Sequence, residues 1–104
     1  MENITISKWV EKISNDPNAV VLDVRTPAEW AEGIQKGALM INFLDQQSFK
    51  EEIESFDKTK NYYLYCRSGN RSGQACQMFD ALGFARSYNM LGGMLAWAGD
   101  TVKP

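Results

Sequence analysis

The chain contains no histidine. That absence removes a Ser-His-Asp or Cys-His catalytic pair and every metal site built on imidazole. Cysteine is scarce: Cys66 and Cys76 are the only two, ten residues apart, a spacing that fits no paired metal-ligand motif. The expectation is therefore of no metal and no cofactor. Long apolar runs are missing as well, and none approaches the ~18–20 residues a membrane-spanning helix needs. The opening segment, MENITISKWVEK, lacks the apolar stretch of a signal peptide. Two thiols and no leader-like segment predict a cytoplasmic protein with reduced cysteines. Runs of one charge are absent too. With 11 basic and 13 acidic residues the net charge is −2, which argues against nucleic acid or an anionic membrane as partner.

What is present is an ordinary globular composition, 44% hydrophobic and 23% charged, over 104 residues. That is a single domain, 1–104, long enough to bury a core without disulfides. Ile6, Trp9, Val10 and Ile13 recur at helical spacing, with Ser7 as N-cap. Ala19 to Val24 is a short apolar run of the kind a strand buried on both faces shows. Thr26-Pro27-Ala28-Glu29-Trp30 reads as a helix start, with Thr26 at the N-cap and Pro27 at the first helical position. Ala38 to Ile41 is a second strand, and Asp45 to Phe56 an amphipathic helix with Phe49, Ile53 and Phe56 on its inner side. Its Glu51, Glu52 and Glu54 read as a solvated face. Tyr62 to Tyr65 is strand-like, Arg71 to Leu82 helical and stopped by Gly83, Ser87 to Met90 a strand, and Met94 to Ala98 a final helical turn. Alternating strands and helices predict an α/β fold: a parallel sheet with helices on both faces, whose reactive site lies at the carboxyl ends of the strands.

Cys66 falls at such an end, in the stretch Tyr63 to Gly73, YLYCRSGNRSG. A buried structural cysteine needs none of those polar, basic and glycine neighbours. Gly69 frees the backbone so that successive N–H groups can face one concavity, and the following helix adds the positive end of its dipole. Arg67 and Arg71 add two permanent charges suited to an oxyanion. Each of these favours a thiolate, so the loop predicts a nucleophile inside an anion-binding cup, activated without histidine. A sulfur walled off from solvent, with the amides turned away, would defeat that reading. Cys76, by contrast, lies mid-helix beside Ala75 and the Met78-Phe79 face and reads as a small buried hydrophobe. Arg71 is also placed to pair with Asp23 or Glu29.

These residues together resemble the rhodanese-like domain family. Leu22 to Trp30, LDVRTPAEW, is similar to the family's Asp-Val-Arg segment; Gly33 and Gly37-Ala38 fall where the family has its Gly-His-Ile-x-Gly-Ala loop. Tyr65 to Ser72 resembles its catalytic loop and Leu91 to Trp97 its closing Gly-Gly-x-x-x-Trp turn. The resemblance implies a three-layer sandwich around a five-stranded parallel sheet. It implies sulfurtransferase chemistry, in which Cys66 takes the sulfane sulfur of a donor such as thiosulfate and holds it as a persulfide. A thiophilic acceptor, cyanide in the assay and a thiol or protein otherwise, then removes it. Under the resemblance Arg67, Ser68, Gly69, Asn70 and Arg71 bind the anionic donor, while Asp23 and Arg25 brace the loop. The charged Arg67 after the cysteine leans towards thiosulfate or a persulfide donor rather than mercaptopyruvate. Cysteine-dependent phosphatases carry their arginine six positions after the cysteine, whereas Arg71 comes five after Cys66, so a bare sulfur suits this cup better than phosphate or arsenate. The alternative is a non-enzymatic sulfur-relay or protein-binding module on the same scaffold. Two departures from the family pattern, Ile34 for its histidine and Asn42 for a common proline, touch the shape of the Gly33–Ala38 loop and not the covalent chemistry.

Overall fold

The computed structural model describes Met1–Pro104. It begins with a strand the apolar pattern does not announce, β1 (Glu2–Ile4), too short to display an alternation. Because β1 ends at Ile4, the turn into helix α1 (Ile6–Ser14) starts at once. Thr5, not Ser7, is its N-cap, accepting the Lys8 N–H at 3.2 Å on Oγ1. Strand β2 (Ala19–Asp23) leads into α2 (Pro27–Trp30), which opens on a complete capping box: Thr26 Oγ1 accepts the Glu29 N–H, and the Glu29 carboxylate accepts the Thr26 N–H. Strand β3 (Leu39–Met40) is shorter than its sequence suggests and exposed. Helix α3 (Gln46–Glu54), capped by Asp45, buries Phe49 and Ile53 and leaves Glu51, Glu52 and Glu54 in water. Then come β4 (Asn61–Tyr65), α4 (Asn70–Ala81), β5 (Arg86–Met90) and α5 (Gly93–Ala96).

The five strands form one sheet in the order β1-β5-β4-β2-β3, and every pairing is parallel. Successive side chains of the central β4 point to opposite faces and build two separate cores. Tyr62 and Leu64 join Leu22, Val24, Phe49, Ile53, Ala75 and Phe79 under α3 and α4. Tyr63 and Tyr65 join Trp9 of α1 with Tyr88 and Met90 on the other side. There Trp9 stands edge-on to both tyrosines, with ring centroids 5.6 and 6.0 Å away. This is the expected α/β sandwich with helices on both faces. Cys66, next after Tyr65, continues the alternation towards the α3–α4 core. No helix is long and apolar enough to cross a membrane.

Candidate active site

The chain leaves β4 at Tyr65 and enters α4 at Asn70, and the four residues between them form a cup. Gly69 has φ +101°, a left-handed conformation that glycine adopts without strain, and α4 has no side-chain cap at its N-terminus. The uncapped amides turn instead to the cysteine: the Gly69 N–H donates to Cys66 Sγ at 3.1 Å, and Ser72 Oγ lies 3.3 Å from it. Burial pushes the Cys66 thiol up. Hydrogen bonds from the Ser72 hydroxyl, when its single proton is turned to the sulfur, and from the Ser72, Gly69 and Ser68 amides outweigh it, so the thiol sits below its ordinary value.

The sulfur is nevertheless not open to water. Cys66 is 0% exposed and belongs to the core. The amides point inward as a nucleophile requires, while the side chain is covered. Helix α5 holds the backbone of the loop: its Met94 N–H donates to the Cys66 carbonyl at 2.9 Å and its Leu95 N–H to the Arg67 carbonyl at 3.0 Å. Gly93 permits this approach: its φ is +57°, and a Cβ there would lie 2.3 Å from the Arg67 carbonyl oxygen.

The arginines of the motif separate in role. Arg71 forms a two-pronged ion pair with Glu29, at 2.8 and 2.9 Å, tying the start of α4 to α2. Chiefly through that bond, Glu29 is held down to about 2. Of the two partners open to Arg71 in the sequence, Glu29 is the one it takes. Arg67 is exposed and lines a shallow cleft of about 220 Å³ with Arg25, Glu29, Glu32, Met94 and Leu95. Ser68 and Asn70 are also exposed, and the Asn70 side chain accepts from Gln74 on its own helix instead of facing the sulfur. A wider polar cleft, about 410 Å³ among Lys8, Lys12, Asp16 and Arg86, has neither cysteine on its wall.

Asp23 and Arg25 are buried and paired at 2.7 Å, and Arg25 Nη2 also donates to the Gly33 carbonyl at 2.7 Å. Trp30 Nε1 donates to Asp23 at 3.1 Å. Burial pushes Arg25 down, but the Asp23 carboxylate more than offsets it and leaves the guanidinium above its ordinary value. The side-chain bonds of this pair therefore hold the segment between α2 and β3. It meets the cysteine strand through the β-ladder, the Val24 N–H to Tyr65 carbonyl bond at 3.1 Å, and the Arg25 guanidinium 5.8 Å above the Tyr65 ring, next to Cys66. In the same segment Ile34 is buried and pairs antiparallel with Val102. Gln35 is buried behind it, donating its N–H to the Tyr65 hydroxyl and accepting from Trp9 Nε1.

Two residues beside the sulfur escape the sequence reading. Ser72 is inside the quoted motif, where its hydroxyl is one feature among many. Asn89 lies in β5 with no signal at all, and reaches the site because β5 is the neighbour of β4. Cys76 is buried, and burial pushes its thiol up to about 12.

The family model for the rhodanese-like domain matches residues 7–100. YtwF of Bacillus subtilis, provisionally named a sulfurtransferase, is 39% identical over 104 residues, all of this chain and 96% of that protein. A protein of Allochromatium vinosum named sulfurtransferase is 34% identical over 88 residues, 85% of this chain and 79% of the other. A rhodanese-like domain protein from Staphylococcus aureus, of known crystal structure, superimposes with a TM-score of 0.86 at 28% identity, covering 100% of this chain and 99% of that one. The strand order, the cysteine loop at the carboxyl end of β4 and these matches agree: the chain belongs to the rhodanese-like domain family.

Proposed function

We propose that this protein is a thiosulfate:cyanide-type sulfurtransferase that carries a sulfane sulfur on Cys66. The Cys66 thiolate attacks the outer sulfur of thiosulfate or a persulfide donor. The donor's S–S bond breaks, its electron pair leaves with sulfite or the donor thiolate, and Cys66 is left as a persulfide. An acceptor thiolate, or cyanide in the assay, then attacks the terminal sulfur, takes it, and returns Cys66 to the thiolate. The observation that carries this reading is the Gly69 amide aimed at Cys66 Sγ from 3.1 Å, at the uncapped start of a helix. Such fixed donors stabilise the charge on the sulfur and on the departing anion. Arg67, exposed beside the cleft, is the cation for the donor's sulfonate, and Arg71 holds the loop through Glu29. The names of the relatives support sulfur transfer in general.

The burial of Cys66 bears on the choice of donor. The sulfur is reached only when the residues around it give way, and a small anion asks for the least displacement. The same burial favours a second reading, a sulfur-relay module whose sulfur is reached when a partner protein opens the cover. Thiosulfate incubation followed by intact-mass measurement separates them. One added sulfur is expected on the wild type and on Cys76→Ser, and none on Cys66→Ser. Rapid cyanide turnover supports the enzyme, and a persulfide with negligible turnover supports the relay. Turnover of p-nitrophenyl phosphate with no sulfur uptake would refute both.

A further inference from the structure

Behind the sulfur lies a buried polar chain that the transfer reaction does not use. Ser72 Oγ is 3.3 Å from Cys66 Sγ and 2.5 Å from Asn89 Oδ1, and all three residues are buried. The orientation of the Asn89 amide is dictated by its other neighbours. Nδ2 lies 3.1 Å from the Gly69 carbonyl oxygen and 3.0 Å from Asn3 Oδ1. A backbone carbonyl only accepts, so the NH2 group must face Gly69 and the oxygen must face Ser72. Two oxygens 2.5 Å apart need a proton between them, and only the serine has one to give.

A hydroxyl has a single proton. While that proton is on the Asn89 oxygen, Ser72 turns lone pairs towards Sγ and can accept from the Cys66 thiol, but it cannot donate to a thiolate. Ionisation of the sulfur therefore requires the hydroxyl to turn, leaving the Asn89 oxygen against Ser72 with no donor. Once Sγ is bound to a second sulfur its charge lies on the outer atom, and the proton is free to return to Asn89.

We propose that Asn89 is a positioning residue that controls the ionisation of Cys66 by holding the one proton of Ser72 away from the sulfur. This disfavours the free thiolate relative to the sulfur-loaded state, and it is done from β5, outside the catalytic loop. The inference rests on the sulfur-transfer reading for the identity of the reacting group. The ionisation of Cys66 is measurable whether or not sulfur moves. The charged groups around the loop do not compete with the effect, because they stay in place when Asn89 changes. Arg25 of the β2–α2 turn is bound to Asp23 of β2, and Arg71 of α4 to Glu29 of α2. Arg67 on the loop is exposed. Tyr65 of β4 receives the Gln35 N–H on its hydroxyl, Cys76 of α4 keeps its proton up to about 12, and α5 contributes no titrating side chain. In β5 the titrating residues are Arg86, which donates to Asn61, and Tyr88, which stacks on Tyr63.

The test is a pH titration of thiolate ultraviolet absorbance, taken as the difference from Cys66→Ser. Asn89→Leu keeps the shape and removes the acceptor. Its midpoint should fall by about one pH unit, roughly tenfold in the thiolate-to-thiol ratio, since the hydroxyl becomes free to donate to the anion. In a Ser72→Ala background the same substitution should leave the midpoint unmoved, because no hydroxyl is present to redirect. A rise, no change, or equal shifts in both backgrounds overturns the proposal. If Asn89→Leu does not fold by circular dichroism, Ser72→Ala alone decides. A rise of the midpoint by less than about one unit agrees with a proton held by Asn89, and a rise of about one unit or more overturns it by showing that Ser72 already serves the sulfur.

Discussion

Replacing Glu29 by glutamine tests whether the ion pair that ties α2 to the start of α4 holds the site together. The Glu29 carboxylate is brought from 4.5 to about 2, mainly by the Arg71 hydrogen bond, with help from the Thr26 N–H and hydroxyl and against burial. A lowering of that size sets a ceiling of about 3 kcal/mol. The pair is in contact with water, with side chains 21% and 19% exposed, so screening reduces the expected contribution to about 1–2 kcal/mol. The sign follows from the direction of the shift. The folded-state value is below the unfolded one, so the contribution is complete above about pH 5 and fades as pH falls from 4.5 towards 2. Glutamine retains an oxygen for Thr26 and so preserves the helix cap, which leaves the charge as the main thing lost. Urea denaturation of wild type and Glu29→Gln should give a gap of about 1–2 kcal/mol at neutral pH that narrows clearly near pH 3. Equal stability at neutral pH, or a gap that does not depend on pH, would refute the reasoning.

Two further outcomes follow from the loop and its cover. Gly93→Ala forces a side chain against the Arg67 carbonyl at a φ of +57°, so it should cost about 2–4 kcal/mol by denaturant titration. By loosening the hold of α5 on the loop backbone it should also speed alkylation of Cys66, and an unchanged rate would show that this hold does not keep the sulfur buried. Cys76, with its thiol raised to about 12 and no exposure, should resist iodoacetamide in the native protein at mildly alkaline pH. Mass spectrometry should find at most one adduct before denaturation and two after it, and an early Cys76 adduct would contradict its structural assignment.

The helices and central strands were legible because their signals are local. Thr26, Pro27 and Glu29 make a capping box among themselves, and Phe49 and Ile53 share a face by helical spacing alone. The strand β1 was not legible, since three residues carry no period, and that omission displaced the first N-cap from Thr5 to Ser7. The sequence offers Asp23 and Arg25 as a brace for the cysteine loop but does not show that their side-chain bonds reach Gly33 and Trp30, with the Arg25 guanidinium over the Tyr65 ring next to Cys66. Their direction depends on where the α2–β3 segment folds back, which no neighbour in the chain reveals.

By itself, the order of residues determined a cysteine at the end of a strand, a glycine that turns the backbone, and a following helix that brings the positive end of its dipole to the loop. All of these are separated by a few residues and follow from backbone geometry and charge. Only the tertiary structure decided that the sulfur is covered, that Arg71 takes Glu29 over Asp23, and that Asn89 reaches Ser72 from the neighbouring strand. Those contacts join residues 17 and 42 positions apart, and their existence depends on which strands become neighbours in the sheet, a choice made by the packing of the whole core.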